Sequence, residues 1–353
     1  MKMNPKDAPH LLTLMANDIR HQEALYQPTA FWSQASSAIY ADLTEHGFED
    51  FRSLPSVLNY FVPTYGPPGN TLTADETRRI EETLLNTAEH QSKKHSTLMH
   101  MISGEMWALA DYRVSVAGDD VSQTPTLTKV SESKIGNPRE HFCFDGRWFS
   151  RSFLNYILGL IFLKKNIDTT GIRRVIEVGG GFGTLGEILL QAGTYAYVDV
   201  DIPPTAAVAS YYLSSQTGAN VLSYEETRTA ETIPFPEPGT QMVLCPWQLP
   251  RLSGSADLFI NFISFQEMEP DVVRGYLGHV DRLRCRFVLL RNLREGKQRK
   301  TEKVALGVET PTIGSDYDQF MPNYRLVATN VTPFGFRTID GFNSELRLYE
   351  RKE

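Results

Sequence analysis

Through the second half of the chain, short apolar runs alternate with amphipathic stretches in the manner of β-α units. Val175, Ile176 and Val178 predict a strand that runs into glycines, and Thr184–Leu190 predicts the helix behind them. Tyr195–Asp201, Gln241–Cys245, Asp257–Ile263 and Arg286–Leu290 predict further strands, with a helix over Ala206–Ser215. Before the last of these strands, Val272, Val273, Tyr276, Leu277, Val280 and Leu283 recur at helical spacing. Pro270 suits the first position of that helix, where its missing N–H costs nothing. Two β-like runs, Tyr324–Thr329 and Leu346–Tyr349, close the sequence. An antiparallel pair there separates one class of α/β sheet from dinucleotide folds, which continue with parallel crossovers.

The first part reads differently. Residues 8–50 predict helices with aromatic anchors at Phe31, Trp32 and Tyr40. Pro and Gly punctuate a loop from Pro63 to Asn70. Thr73-Ala-Asp-Glu76 fits a capping box, opening a helical stretch that runs to about Tyr112 with a break near His95. Residues 113–130 read as a polar loop, Gly136-Asn-Pro138 as a turn, and Phe153–Leu163 as an apolar helix. The expected organisation is a mainly helical region over 1–150 and an α/β domain over 151–353.

Composition narrows the partners. The chain has 353 residues, 41% of them hydrophobic, which is enough for a sizeable core. A formal net charge of −7 argues against nucleic acid or an anionic membrane as primary partner. No run of about 18 apolar residues is present, and the N-terminus lacks the apolar core of a signal peptide. Cys143, Cys245 and Cys285 are too far apart for a disulfide framework or a zinc knuckle. Reduced thiols in a cytoplasmic protein are the expectation.

The densest chemistry lies at Val175-Ile-Glu-Val-Gly-Gly-Gly-Phe-Gly-Thr-Leu-Gly186. Glycines let a backbone approach a ligand closely, and a helix N-terminus offers free N–H groups. Gly181-x-Gly183-x-x-Gly186 fits a dinucleotide fingerprint. Glu177-x-Gly179-x-Gly181-x-Gly183 is similar to the acidic glycine turn of class I S-adenosylmethionine (SAM) methyltransferases. The acid two residues before the first glycine favours SAM. Asp201, 24 residues after Glu177, can accept hydrogen bonds from ribose hydroxyls, which NAD and SAM share. Three readings follow: a methyltransferase, an NAD-dependent oxidoreductase, and a non-catalytic SAM-binding module whose N-terminal third is a partner surface.

The chain also resembles the bacterial sugar O-methyltransferases over about residues 135–290. The matching pieces are Gly136-Asn-Pro, Asp145-Gly-Arg, the Glu177 glycine turn, Asp201-Ile-Pro, Tyr211-Tyr-Leu and Asn261-Phe-Ile-Ser-Phe-Gln-Glu-Met268. The resemblance implies a Rossmann-like α/β sheet, mostly parallel with an antiparallel last strand, behind an N-terminal helical domain that covers the acceptor or mediates oligomerisation. It implies SAM as cofactor and methyl transfer to a sugar, nucleotide sugar or glycoside, with a homodimer as a further option.

In that fold the loop after the fourth strand lies beside the methyl group, which makes Glu267 the first candidate for general base or acceptor contact. His141 is its rival. Gln266 and Arg147 are candidate acceptor ligands, with Arg139 and Arg151 beside Arg147 as a clamp for a diphosphate. Trp247 and Gln248, after the third strand, are candidates for the adenine wall. The spacings offer no convincing metal site, although Glu267, Glu269 and Asp271 keep Mg²⁺ open. Glu269 is the expected helix cap, and Arg294–Lys303 a solvated loop or lid.

Overall fold

In the computed structural model, which describes residues 3–60, 103–300, 307–338 and 341–353 with scattered positions between 76 and 100, seven long strands build the central sheet. They are β1 (Arg174–Val178), β2 (Ala196–Val200), β3 (Gln241–Leu244), β4 (Leu258–Phe262), β5 (Phe287–Leu293), β6 (Tyr324–Asn330) and β7 (Asn343–Arg351). Their order is β6-β7-β5-β4-β1-β2-β3, with the short strand Val221–Leu222 beyond β3. β1 to β5 pair in parallel, whereas β7 inserts antiparallel between β5 and β6. This is an open α/β sheet, mostly parallel, with the closing antiparallel pair that the last two β-like runs predict.

Alternation along each strand sorts side chains to two faces. Val175, Tyr197, Val243, Ile260 and Leu289 join one apolar cluster, and Ile176, Val198, Met242, Phe259 and Val288 join the other. The helix Arg151–Asn166 is apolar on nearly all sides and sits against the first face. Ser150 starts it by accepting from Phe153 N–H. The helix Pro270–Arg282 covers the second face with Val273, Tyr276, Leu277 and Val280. The N-terminal helices Ala8–Asp18 and Ala30–His46 belong to the first cluster through Leu11, Leu12, Met15, Ile39 and Leu43. The helical region therefore shares a core with the sheet.

Gly159 sets the distance between the Arg151–Asn166 helix and β4. A Cβ there would lie 2.3 Å from Cζ of Phe262. The close approach stacks Tyr156 on Phe262 with ring centroids 5.0 Å apart. Gly159→Ala should therefore destabilise by about 1–3 kcal/mol, the usual cost of overpacking, read as a lower urea midpoint with unchanged slope.

Two local expectations change. The helix expected to end near Tyr112 runs over Glu105–Gly118, so the loop starts later. Tyr112 and Ser115 are buried, Gly118 lies against Ile161, and this packing outweighs the weak β-branched propensities. A hairpin, Phe142–Phe144 with Arg147–Phe149, follows the Gly136 turn. Asp145 and Gly146 make its two-residue connection at positive φ. The capping residue Thr73 and the Pro63–Asn70 loop lie outside the described residues.

Candidate functional site

The C-terminal ends of β1, β2 and β4 open into a cavity of about 240 Å³. Its floor is the glycine turn. Gly179, Gly181 and Gly183 have φ of +74°, +63° and +96°, a region that side chains with a Cβ avoid. Backbone N–H of Gly179 donates to Val200 O at 2.8 Å, and that of Gly181 to Asp201 Oδ2 at 2.9 Å. A Cβ on Gly179 would fall 2.1 Å from Ser264 Oγ. Ser264 is pinned in turn. Its hydroxyl donates to Val178 O at 3.2 Å and accepts from Asn261 Nδ2 at 2.6 Å. Asn261 Nδ2 also reaches Val178 O at 2.8 Å, so the tips of β1 and β4 are tied together. Between them Ile263 holds φ +74°, a strained value for a β-branched residue, with its N–H bonded to Arg291 O at 2.7 Å.

Three acids gather behind this floor. Glu177 is fully buried and accepts from Tyr156 OH at 2.7 Å and Tyr197 OH at 2.6 Å. Asp199 sits beside it in register and accepts from Gly180 N–H at 3.2 Å, while its Oδ2 has no partner. Asp201 lines the cavity and accepts from Gly181 and Ile202 N–H. Among the described residues, no ion pair reaches any of the three. Burial pushes Glu177 up to about 7 against its two phenol hydrogen bonds. Burial also pushes Asp201 up to about 7. Asp199 rises well above the carboxylate range, through burial and then the charges of Asp201 and Glu177. Of the three, Asp201 reaches the cavity, while Glu177 and Asp199 lie buried behind it.

The opposite wall comes from the N-terminal region and from the loop after β4. Leu25, Gln27, Thr29 and Trp32 line the cavity. Trp32 Nε1 donates to Glu267 Oε2 at 3.0 Å, and Thr29 Oγ1 to Glu267 O at 3.3 Å. Lys297 Nζ pairs with Glu267 Oε1 at 2.5 Å. Glu267 is thus inside the cavity, clamped by an indole and an ammonium. Lys297 belongs to the charged run expected to be solvated, so that expectation fails at this residue. Glu269 occupies the N-cap position of the Pro270 helix without capping it. Its carboxylate accepts instead from Glu309 and Thr310 N–H at 2.9 and 3.0 Å, which fastens the segment after β5.

Gly179, Gly181, Asp201 and Glu267 line the cavity, Glu177 is buried behind it and Gly183 is the N-cap of the helix Thr184–Ala192, while the other candidates lie elsewhere. His141 does not line the cavity. Its ring stacks on Trp148 at 4.8 Å, its Nε2 lies 3.9 Å from Glu132 Oε2, and burial with the Arg52 charge pulls it down to about 4. Gln248 is buried away from the cavity, accepting from Cys245 N–H at 2.7 Å and donating to Thr227 Oγ1 at 2.8 Å. Trp247 faces a separate surface pocket beside Asp18 and Arg228, while Pro246 lines the cavity. The Gln266 amide accepts from Leu293 N–H at 2.8 Å, a tie to β5. Arg147 lies over Tyr112 and Phe149, and Arg151 pairs with buried Glu140, so no diphosphate clamp forms. Among the described residues, no three His, Cys, Asp or Glu side chains are grouped to hold a metal, and no helix is long and apolar enough to cross a membrane. Tyr156, Asn261 and Ser264 were not foreseen as site residues. The Tyr156 hydroxyl had no local signal, whereas the Asn261–Met268 motif already contained the latch.

No family model and no curated protein matches the chain. Among solved structures it is similar to magnesium protoporphyrin IX methyltransferase from Synechocystis PCC 6803, at 14% identity and TM-score 0.36, covering 57% of this chain and 82% of that one. It is also similar to a SAM-dependent methyltransferase from Clostridium acetobutylicum, at 9% identity and TM-score 0.37, over 57% and 92%. A SAM-dependent methyltransferase from Leishmania major, at 14% identity and TM-score 0.38, is covered to 97% by 82% of this chain. Likenesses of this size carry no inference about chemistry.

Proposed function

We propose that the chain is a SAM-dependent O-methyltransferase acting on a hydroxyl of a sugar or a glycosylated small molecule. One observation carries this reading: two buried carboxylates, Glu177 and Asp199, and the half-buried Asp201 gather at a glycine turn that opens into a cavity, and none of the three forms an ion pair among the described residues. Burial favours the neutral forms of these acids and a nearby cation favours the ionised ones, and SAM brings an ammonium and a sulfonium. The glycine turn from Gly179 to Phe182 and the Asp201 carboxylate both line the cavity, where a bound group of that kind would meet them.

When bound, SAM supplies an electrophilic methyl carbon. The chain's own residues hold and orient. The glycine turn offers its backbone, Asp201 offers a carboxylate to ribose hydroxyls, and Tyr156, whose hydroxyl donates to the buried Glu177, offers an acceptor oxygen for the ammonium end. Trp32, Thr29 and Leu25 cover the cavity and exclude water. Glu267 presents a carboxylate to the acceptor hydroxyl and can take its proton at Oε. Aromatic Trp32 and Tyr156 next to Ser152, Asn155 and Gln27 suit a sugar, which shows both apolar faces and hydroxyls.

Calorimetric titration with S-adenosylhomocysteine (SAH), SAM and NAD tests the reading. SAH should bind with micromolar affinity and NAD should not bind. A melting temperature raised by NAD and unmoved by SAH would overturn it. SAM binding should also depend on pH in a set direction. Glu177 and Asp201 are held near 7 by burial, and a cation favours their ionised forms. Binding then releases protons, and affinity falls as pH drops through 7. The expected loss is roughly tenfold between pH 7.5 and 6 for one proton displaced. Enthalpies measured in buffers of different ionisation heat should report the released proton.

A further inference from the structure

Arg291 is the sole cationic side chain among the described residues that line the cavity. It projects from β5 and is fully buried. Nε donates to Ser344 Oγ at 3.3 Å and Nη1 to Asn155 O at 3.0 Å, both uncharged acceptors. Nη2 has no partner. Asp111 is the acid whose charge Arg291 feels, yet no hydrogen bond joins them, and burial lifts that carboxyl to about 6. Burial lowers Arg291 itself to about 10. A buried guanidinium with a free N–H edge is costly unless a ligand completes it.

Its place in the sheet matters. Asp201 follows β2 and Glu177 lies one residue before the end of β1, whereas Arg291 lies on β5, with β4 between it and β1. At about 4.8 Å per strand, Arg291's strand is roughly 10 Å from β1. Asp201 therefore meets the cavity from the β2 side and Arg291 from the β5 side, with Glu267 on the loop after β4 between them and Ser152 and Asn155 adding neutral polar groups.

We propose that Arg291 receives an anionic group of the acceptor, a carboxylate or a phosphate, so that the acceptor is an acidic sugar or a sugar phosphate. The proposal rests on the methyltransferase reading. The Asp201 side takes the cation-bearing cofactor, and the guanidinium fork matches a carboxylate or phosphate edge on the β5 side.

Inorganic phosphate and acetate, titrated calorimetrically into the SAH-saturated full chain at constant ionic strength, test this without a known acceptor. Saturable one-site binding is expected, tighter for whichever anion class the acceptor carries. Arg291→Gln should weaken it by about tenfold or more and Arg291→Lys by less, with SAH affinity held within about threefold. Absence of saturable binding of either anion to the wild-type chain overturns the proposal, whatever the variants do. So does undiminished anion binding by Arg291→Gln. A loss of SAH affinity in Arg291→Gln, with affinity for 5′-methylthioadenosine unchanged, also overturns it, because the anion is then the cofactor's own carboxylate. Failure of SAH to bind the wild type overturns the methyltransferase reading instead, which keeps the two failures apart.

Discussion

Gly179→Val is expected to abolish measurable SAH binding. Two independent effects act together. The residue sits at φ +74°, where a side chain costs about 1–2 kcal/mol. Its Cβ would also fall 2.1 Å from Ser264 Oγ. Ser264 cannot step aside cheaply, because its hydroxyl bonds both Val178 O and Asn261. Each buried polar group stripped of its partner adds about 1–3 kcal/mol. Together these exceed the roughly 3 kcal/mol that a hundredfold loss of affinity requires. Gly181→Val should act in the same way through its own positive φ and its N–H bond to Asp201. Gly146→Ala is the control. It shares a positive φ, yet nothing lies within 4 Å of its added Cβ. Its effect should be confined to a small drop in melting temperature, with SAH binding intact. Normal SAH affinity in Gly179→Val would show that the turn is not the cofactor floor.

Which parts of this site the sequence discloses depends on how local their geometry is. The glycine turn, Glu177 and Asp201 are set by strand tips and by neighbours a few residues away, so their pattern survives in one dimension. Gln248 shows the limit. It follows the third strand, as an adenine contact should, but the tight turn folds its amide back onto Cys245 N–H. Gln266 is likewise spent on Leu293 N–H. Side-chain direction there depends on a hydrogen bond that residue type does not disclose. The Trp32–Glu267 contact spans 235 positions, and no periodicity encodes such a meeting. Lys297 sits in a run of charges that resembles a solvated loop until Glu267 is opposite it. Gly159 carries a local signal that the reading of Phe153–Leu163 as an apolar helix does not use. It is a lone glycine among large apolar residues of one helix, and such a gap marks a close approach.

Glu267→Gln is expected to lower turnover by roughly 10²-fold or more, consistent with loss of general-base help, while SAH affinity stays within a few-fold. The substitution preserves shape and removes basicity. Glu267 is suited to this test because both of its oxygens are already oriented, one by Trp32 Nε1 and one by Lys297 Nζ. An amide can keep one of these contacts but not both, since its nitrogen cannot accept from the ammonium. Orientation and proton acceptance are therefore lost together, at a residue that reaches the cavity from the loop after β4. His141→Ala is the paired variant. Its ring is buried on Trp148 outside the cavity, so the change should lower the melting temperature through lost packing and leave turnover within a few-fold. Activity is followed by methyl transfer from labelled SAM to an acceptor found by screening sugars and glycosides. If the glutamine variant turns over normally and His141→Ala does not, proton acceptance belongs to the Glu132–His141 cluster and the cavity would have to open toward it. If both remain active, alignment of the acceptor by the Trp32 wall carries the rate, and Trp32→Ala should then show the loss that Glu267→Gln does not.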